Sequence, residues 1–218
     1  MRLYLSSFGL GDAPEHFVRL LGVGRRIGVI LNAVDLKTPE RRGLSLAQEF
    51  AALRGLGMEP EEIDLRDHFG SSPERMRSKL SNFDGLWFRG GNTFVLRRAL
   101  AASGADAAIV DLLREDRLVY GGFSAAIAVL GPTLQGVELV DGSDEVPPHY
   151  DPEPIWTALG LLPYAVAPHY RSDHPESEAV DRLVAHYIDV HVPFVALRDG
   201  EAIVRDGDEE RVVGVRPR

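Results

Sequence analysis

Leu118-Val119-Tyr120-Gly121-Gly122-Phe123-Ser124-Ala125-Ala126-Ile127-Ala128-Val129-Leu130 is the stretch from which the fold is read. An apolar run rich in strand-forming residues meets a serine, and a second apolar run of helix formers follows. A strand that turns sharply into a helix around a serine has the geometry of a nucleophile elbow. Side chains flanking such a turn would collide as the backbone doubles back, so small residues are required on both sides. Gly122 and Ala126 satisfy this, and Gly121 adds room. The usual pattern is G-x-S-x-G, so Ala126 makes the match a loose one.

Working outward, short apolar runs alternate with helical patterns along the whole chain. Strands are expected at residues 3–8, 27–33, 62–65, 85–88, 118–122, 164–167 and 194–197. Helices are expected at 14–21, 39–56, 73–80, 93–103, 105–115, 125–130, 154–159 and 176–189. Pro39 and Pro73 sit where a first helical turn tolerates proline. The alternation predicts an α/β fold, a mostly parallel sheet with helices on both faces. Runs at 202–205 and 211–215 flank Asp206-Gly207-Asp208 as a hairpin. No linker or repeat interrupts the pattern, so residues 1–218 are expected to form one domain.

In such sheets ligands bind beyond the carboxyl ends of the strands. That edge carries Ser124 and three other groups of interest. Arg89-Gly90-Gly91-Asn92-Thr93 follows the strand at 85–88. Its glycines let the backbone approach a ligand, and Asn92 or Thr93 can cap the next helix. This loop reads either as an anion-holding or oxyanion turn or as a plain strand-to-helix turn. His169 ends the strand at 164–167, as a general base or as a histidine bonded to backbone. Asp199 ends the strand at 194–197, as an orienting acid or as part of an Asp-Gly turn. Taken together, Ser124, His169 and Asp199 compose a serine-hydrolase triad. Their order, Ser-His-Asp, is not the Ser-Asp-His order of α/β-hydrolases.

Composition narrows the function class. The formal net charge of −9 argues against non-specific nucleic-acid binding, because phosphates would be repelled. No run of about 18 apolar residues occurs, so no membrane partner is expected. The absence of cysteine excludes disulfides, thiolate metal sites and cysteine nucleophiles, and fits a cytoplasmic, reducing setting. The first residues read as a strand rather than a secretion signal. His169, Asp173 and His174 lack a recognised metal-ligand spacing, so no metal is expected.

Five segments carry a family resemblance: Arg89-Gly90-Gly91-Asn92-Thr93-Phe94, Gly122-Phe123-Ser124-Ala125, the run from Ala158 to Tyr164, Pro168-His169-Tyr170 and Leu197-Arg198-Asp199-Gly200. Their order resembles that of the dipeptidase E (alpha-aspartyl dipeptidase) family of serine peptidases over most of the chain. The resemblance implies a class I glutamine-amidotransferase-like (flavodoxin-like) fold, a three-layer sandwich. It implies Ser124 as nucleophile, His169 as base and Asp199 as third member. It also implies oxyanion-hole amides at Gly91 and Ala125, with substrate contacts from Gly90, Asn92, Arg171 and Asp144. The expected substrate is a small peptide, with N-terminal aspartate a candidate residue. No cofactor is expected, and the protein is expected as a monomer or homodimer.

Departures from the family accompany the match. Asp199 replaces a glutamate and shortens that arm by one methylene. The segment after His169, from Arg171 to Glu178, is short and acidic where the family carries an arginine-containing segment linked to aspartate recognition. Arg171 and Arg89 remain candidate cations for a substrate carboxylate. Asp141, Asp144 and Glu145 lie in a loop that the resemblance implies to be a lid or substrate wall, and Asp144 is a rival third triad member. A non-catalytic amidotransferase-like binding protein is the alternative reading. A glutaminase lacks its thiol here.

Overall fold

The computed structural model describes residues 1–214. Its centre is a seven-stranded sheet in the order β3-β2-β4-β5-β1-β8-β9. The strands are β1 (Arg2–Ser6), β2 (Arg26–Ile30), β3 (Glu59–Glu62), β4 (Gly85–Phe88), β5 (Val119–Phe123), β8 (Ala202–Asp206) and β9 (Glu209–Val213). Strands β3 through β1 in that order pair in parallel, while β8 and β9 add an antiparallel hairpin beyond β1. Val215, the expected end of the hairpin, lies outside the described residues.

Helices cover both faces, as buried parallel strands require. Helices α1 (Glu15–Leu21) and α2 (Pro39–Gly55) close one face, where Phe17, Leu20 and Leu53 pack on Tyr4, Val29 and Trp87. Helices α3 (Pro73–Leu80), α4 (Thr93–Ser103), α5 (Ala105–Arg114) and α6 (Ala125–Ala128) close the other. Sequence signals fix several starts. Thr38 and Ser72 cap α2 and α3 ahead of their N1 prolines, and the Asn92 side chain caps α4 by accepting from Val95 N–H at 3.0 Å.

Three expectations need correction. The third strand lies at Glu59–Glu62 rather than 62–65. It is an edge strand, where acidic residues and Pro60 are tolerated. The apolar Ile63 and Leu65, which suggested a strand, are buried just past its end. Residues 154–159 form no helix. Their backbone groups bond outward instead: Leu134 N–H donates to Trp156 O at 2.8 Å, and Leu159 N–H donates to Val129 O at 2.8 Å. Finally, β6 (Ala165–Ala167) and β7 (Phe194–Ala196) do not extend the main sheet. They pair with each other in a separate two-stranded sheet, packed against α7 (Ser177–Asp189).

Candidate active site

The strand β5 ends at Phe123, and Ser124 turns the chain into α6 with φ 56° and ψ −119°. A non-glycine residue there is strained by roughly 1–3 kcal/mol and is held only by its surroundings. The surroundings are tight: a Cβ added at Gly122 would meet Ala126 Cβ at 2.8 Å and Phe88 O at 2.7 Å. Ala126 therefore fills the second small position, and its methyl sits where a larger side chain would not fit beside Gly122.

The loop after β4 lies directly against the serine. A Cβ at Gly90 would stand 2.7 Å from Ser124 Cβ. Gly91 adopts φ 155°, and a Cβ there would run into Ala33 O at 2.3 Å. Ala125 opens α6, so its N–H has no carbonyl one turn back. Among the described residues neither the Gly91 nor the Ala125 N–H donates to another group. Both amides are therefore uncommitted, one in the loop that touches Ser124 and one at the residue that follows it.

His169 and Asp199 meet beyond the ends of β6 and β7. Register does this: Ala165, Val166 and Ala167 pair with Phe194, Val195 and Ala196, so the two strand ends advance together. His169 Nδ1 lies 2.7 Å from Asp199 Oδ1, with the imidazole buried. Burial opposes ionisation of Asp199. Hydrogen bonds from His169 and Ser7 outweigh it and hold the carboxyl below its ordinary range. Ser7 O–H donates to Asp199 Oδ1 at 2.8 Å and accepts the His169 backbone N–H at 2.8 Å. Ser172 Oγ accepts the Asp199 backbone N–H at 2.8 Å.

Nδ1 being taken, Nε2 is the ring nitrogen left for chemistry. It lies 3.9 Å from Glu176 Oε2. Glu176, Pro168 and Ser124 line one small cavity, which brings the serine and the histidine segment to a common wall. Among the described residues no hydrogen bond joins Ser124 Oγ to His169. Catalytic hydrogen bonds often tighten only with substrate in place. Phe8 bridges the two halves, with ring centroids 5.9 Å from both Phe123 and His169.

The remaining sequence candidates separate. Asn92 is committed to structure: beyond capping α4, its amide donates to Gly142 O and Glu145 Oε2, both at 2.9 Å. Asp144 is exposed and makes no hydrogen bond to His169 among the described residues. Arg171 is exposed, its guanidinium 5.1 Å from the Tyr170 ring centroid. Arg89 pairs with Glu49, whose other oxygen accepts the Trp87 indole N–H at 2.7 Å.

Ser7, Phe8 and Glu176 were not singled out for the site from the sequence, and Asp141 was read only as part of the expected lid or substrate wall. Asp141 Oδ2 accepts the Thr93 backbone N–H at 2.9 Å and the Thr93 hydroxyl at 2.5 Å. Burial, and then the nearby Glu176 and Glu145, push its pKa up to about 6 against those hydrogen bonds. His174 stacks on His169 with centroids 3.7 Å apart and planes 6° from parallel. Burial, then the neighbouring His169, push the His174 imidazole below its ordinary pKa. His169, His174 and Glu176 bring ligand atoms within 4.8 Å of one another. The parallel rings keep their lone pairs in separate planes, so they do not converge on one ion as a zinc site demands.

An α/β protein with a strained serine elbow at the strand ends and a His–Asp pair beside it belongs in architecture with the serine-type hydrolases. Comparison with known proteins makes the assignment specific. The model of peptidase family S51 matches residues 44–213, and the chain belongs to that family, one of serine-type peptidases. The chain is similar to a Peptidase E of Shewanella denitrificans, at 28% identity over 97% of this chain and 87% of the relative. It superposes on a crystal structure of a candidate peptidase E protein from Listeria monocytogenes with a TM-score of 0.78. That match has 25% identity and covers 99% of this chain and 98% of the other. The same fold occurs in a peptidase from an acI-B1 Actinobacterium, with TM-score 0.70, 16% identity and coverage of 98% and 87%. Among the described residues no helix is long and apolar enough to cross a membrane.

Proposed function

We propose that this protein hydrolyses small peptides through a Ser124-His169-Asp199 triad. The observation that carries the reading is the 2.7 Å contact of His169 Nδ1 with Asp199, set beside a serine in a strained elbow. Ser124 Oγ attacks the scissile carbonyl while His169 Nε2 takes its proton. Asp199 stays ionised, fixes the tautomer and stabilises the imidazolium. The Gly91 and Ala125 amides receive the oxyanion, a contribution of roughly 3 kcal/mol per donor in other enzymes. Collapse of the tetrahedral intermediate expels the amine, which takes the proton from His169. Water, activated by the same imidazole, then frees the acyl group.

A non-catalytic binder would have no need for strain at Ser124 or for an ionised acid behind a buried imidazole. A fluorophosphonate probe separates the two readings. Labelling at Ser124 that is lost in His169→Ala supports the triad. Full peptide hydrolysis by Ser124→Ala would sink it.

A further inference from the structure

The cavity beside Ser124 has a volume of only about 20 Å3, room for one water-sized group. Its walls include Val137, Val140, Val166 and Leu183, and two carboxylates, Asp141 and Glu176, face it. Among the described residues its lining contains no lysine, arginine or histidine. This is the wrong lining for an aspartate side chain. A carboxylate placed there would lose its water against valines and meet two like charges. Of the arginines that might neutralise it, Arg171 lies on Tyr170 and Arg89 is paired with Glu49.

The lining does suit a different group. In a dipeptide the α-ammonium is attached to the carbon next to the scissile carbonyl. Wherever Ser124 attacks the first peptide bond, that cation lands beside it. Glu176 lines the cavity with Ser124, and its carboxylate stands 3.9 Å from the ring nitrogen of His169. Asp141 lines the same cavity, anchored to the start of α4 by Thr93.

We infer that the preferred substrates carry a small uncharged N-terminal residue, of alanine size, whose α-ammonium is held by Glu176 with Asp141 behind it. The inference rests on the triad reading above and concerns only which peptide that site accepts. Asp141, its carboxyl destabilised by burial and by Glu176, gains from a nearby cation, which accords with this placement.

The test is steady-state hydrolysis of Ala-Ala, Leu-Ala, Asp-Ala and N-acetyl-Ala-Ala by the wild type, Ser124→Ala and Glu176→Gln. The expected order has Ala-Ala above Asp-Ala and Leu-Ala by about a hundredfold in kcat/KM, with the acetylated peptide poor. Glu176→Gln should raise KM for Ala-Ala about tenfold, with a smaller change in kcat. It should also narrow the Ala-to-Asp ratio, because the repulsion of aspartate is relieved. A purely structural effect would lower both substrates alike. Calorimetric titration of Ser124→Ala with Ala-Ala and Asp-Ala gives the same preference without turnover and without relying on Glu176→Gln. Ser124-dependent hydrolysis that favours Asp-Ala or Leu-Ala, or an unchanged ratio in Glu176→Gln, would overturn the inference and leave the triad standing. Absence of Ser124-dependent hydrolysis of every peptide would overturn both.

Discussion

Ser7 Oγ stands 2.8 Å from Asp199 Oδ1, at the end of the first strand and almost the whole chain away from its partner. The same hydroxyl accepts the backbone N–H of His169, so one side chain fixes both members of the acid–imidazole pair. Removing it leaves the buried His169 N–H without an acceptor and takes one hydrogen bond from the carboxylate. A hydrogen bond to a charged group contributes about 1.5–3 kcal/mol. Ser7→Ala is therefore expected to lower kcat by roughly tenfold to a hundredfold, with KM little changed. Ser7→Thr, which keeps the hydroxyl, should recover part of the loss. If kcat is unaffected by Ser7→Ala, the hydroxyl has no role in positioning the pair.

The strain at Ser124 makes a second expectation with opposite signs for stability and activity. At φ 56° and ψ −119° a glycine pays no Cβ penalty. Relief of about 1–3 kcal/mol exceeds the added unfolded-state entropy of a glycine, about 0.5–1 kcal/mol. Ser124→Gly should abolish hydrolysis and yet stabilise the fold by about 1 kcal/mol. Urea unfolding of the two proteins checks this, and a variant less stable than wild type would show that the elbow is not strained.

Gly90 is where the loop after β4 touches Ser124. An alanine methyl would press on Ser124 Cβ at 2.7 Å and on the Phe123 carbonyl oxygen at 3.0 Å. Neither neighbour is the end of a flexible chain, so the loop or the serine must move. Misplacement of about 1 Å costs around a hundredfold in rate. Gly90→Ala should lose at least that much in kcat/KM towards peptides and label slowly with a fluorophosphonate. Near-normal kinetics would mean that the loop yields without disturbing the serine.

The elements that the sequence made legible are those with strong local signals. The elbow, the Gly90-Gly91 loop and the proline-led helices α2 and α3 each owe their form to residues within a few positions. His169 and Asp199 were legible as strand ends, but the sheet that pairs them was not. A three-residue strand carries no pattern to say which sheet it joins, and only the β6–β7 register brings these side chains together. Ser7 and Glu176 were missed for a related reason. Ser7 takes its meaning from Asp199, far along the chain, and Glu176 from His169, beside which only the intervening turn sets it. A serine at a strand end and a glutamate ahead of a helix are ordinary residues when read locally. The segment at 154–159 misled for the converse reason, since its helix-like apolar spacing reflects contacts with neighbouring loops.

Asp141 supplies a prediction in pH. Its carboxyl sits at the start of α4, where the helix end favours negative charge. Burial and the facing carboxylates Glu176 and Glu145 nevertheless raise its pKa to about 6, above the ordinary 3.8. The folded protein then binds this proton more tightly than the unfolded chain. The resulting stabilisation is complete below about pH 4 and is lost as pH rises through about 6. Asp141→Asn keeps an oxygen to accept from Thr93 and removes the charge. It should remove this downward slope and leave the protein more stable than wild type at pH 7, by about 1–2 kcal/mol. Urea unfolding of both proteins at pH 4, 5, 6 and 7 reads the difference directly. It should grow in favour of asparagine between pH 4 and 6 and then level off. A variant less stable than wild type at pH 7 would mean that attraction to the helix end outweighs burial and repulsion at this carboxylate.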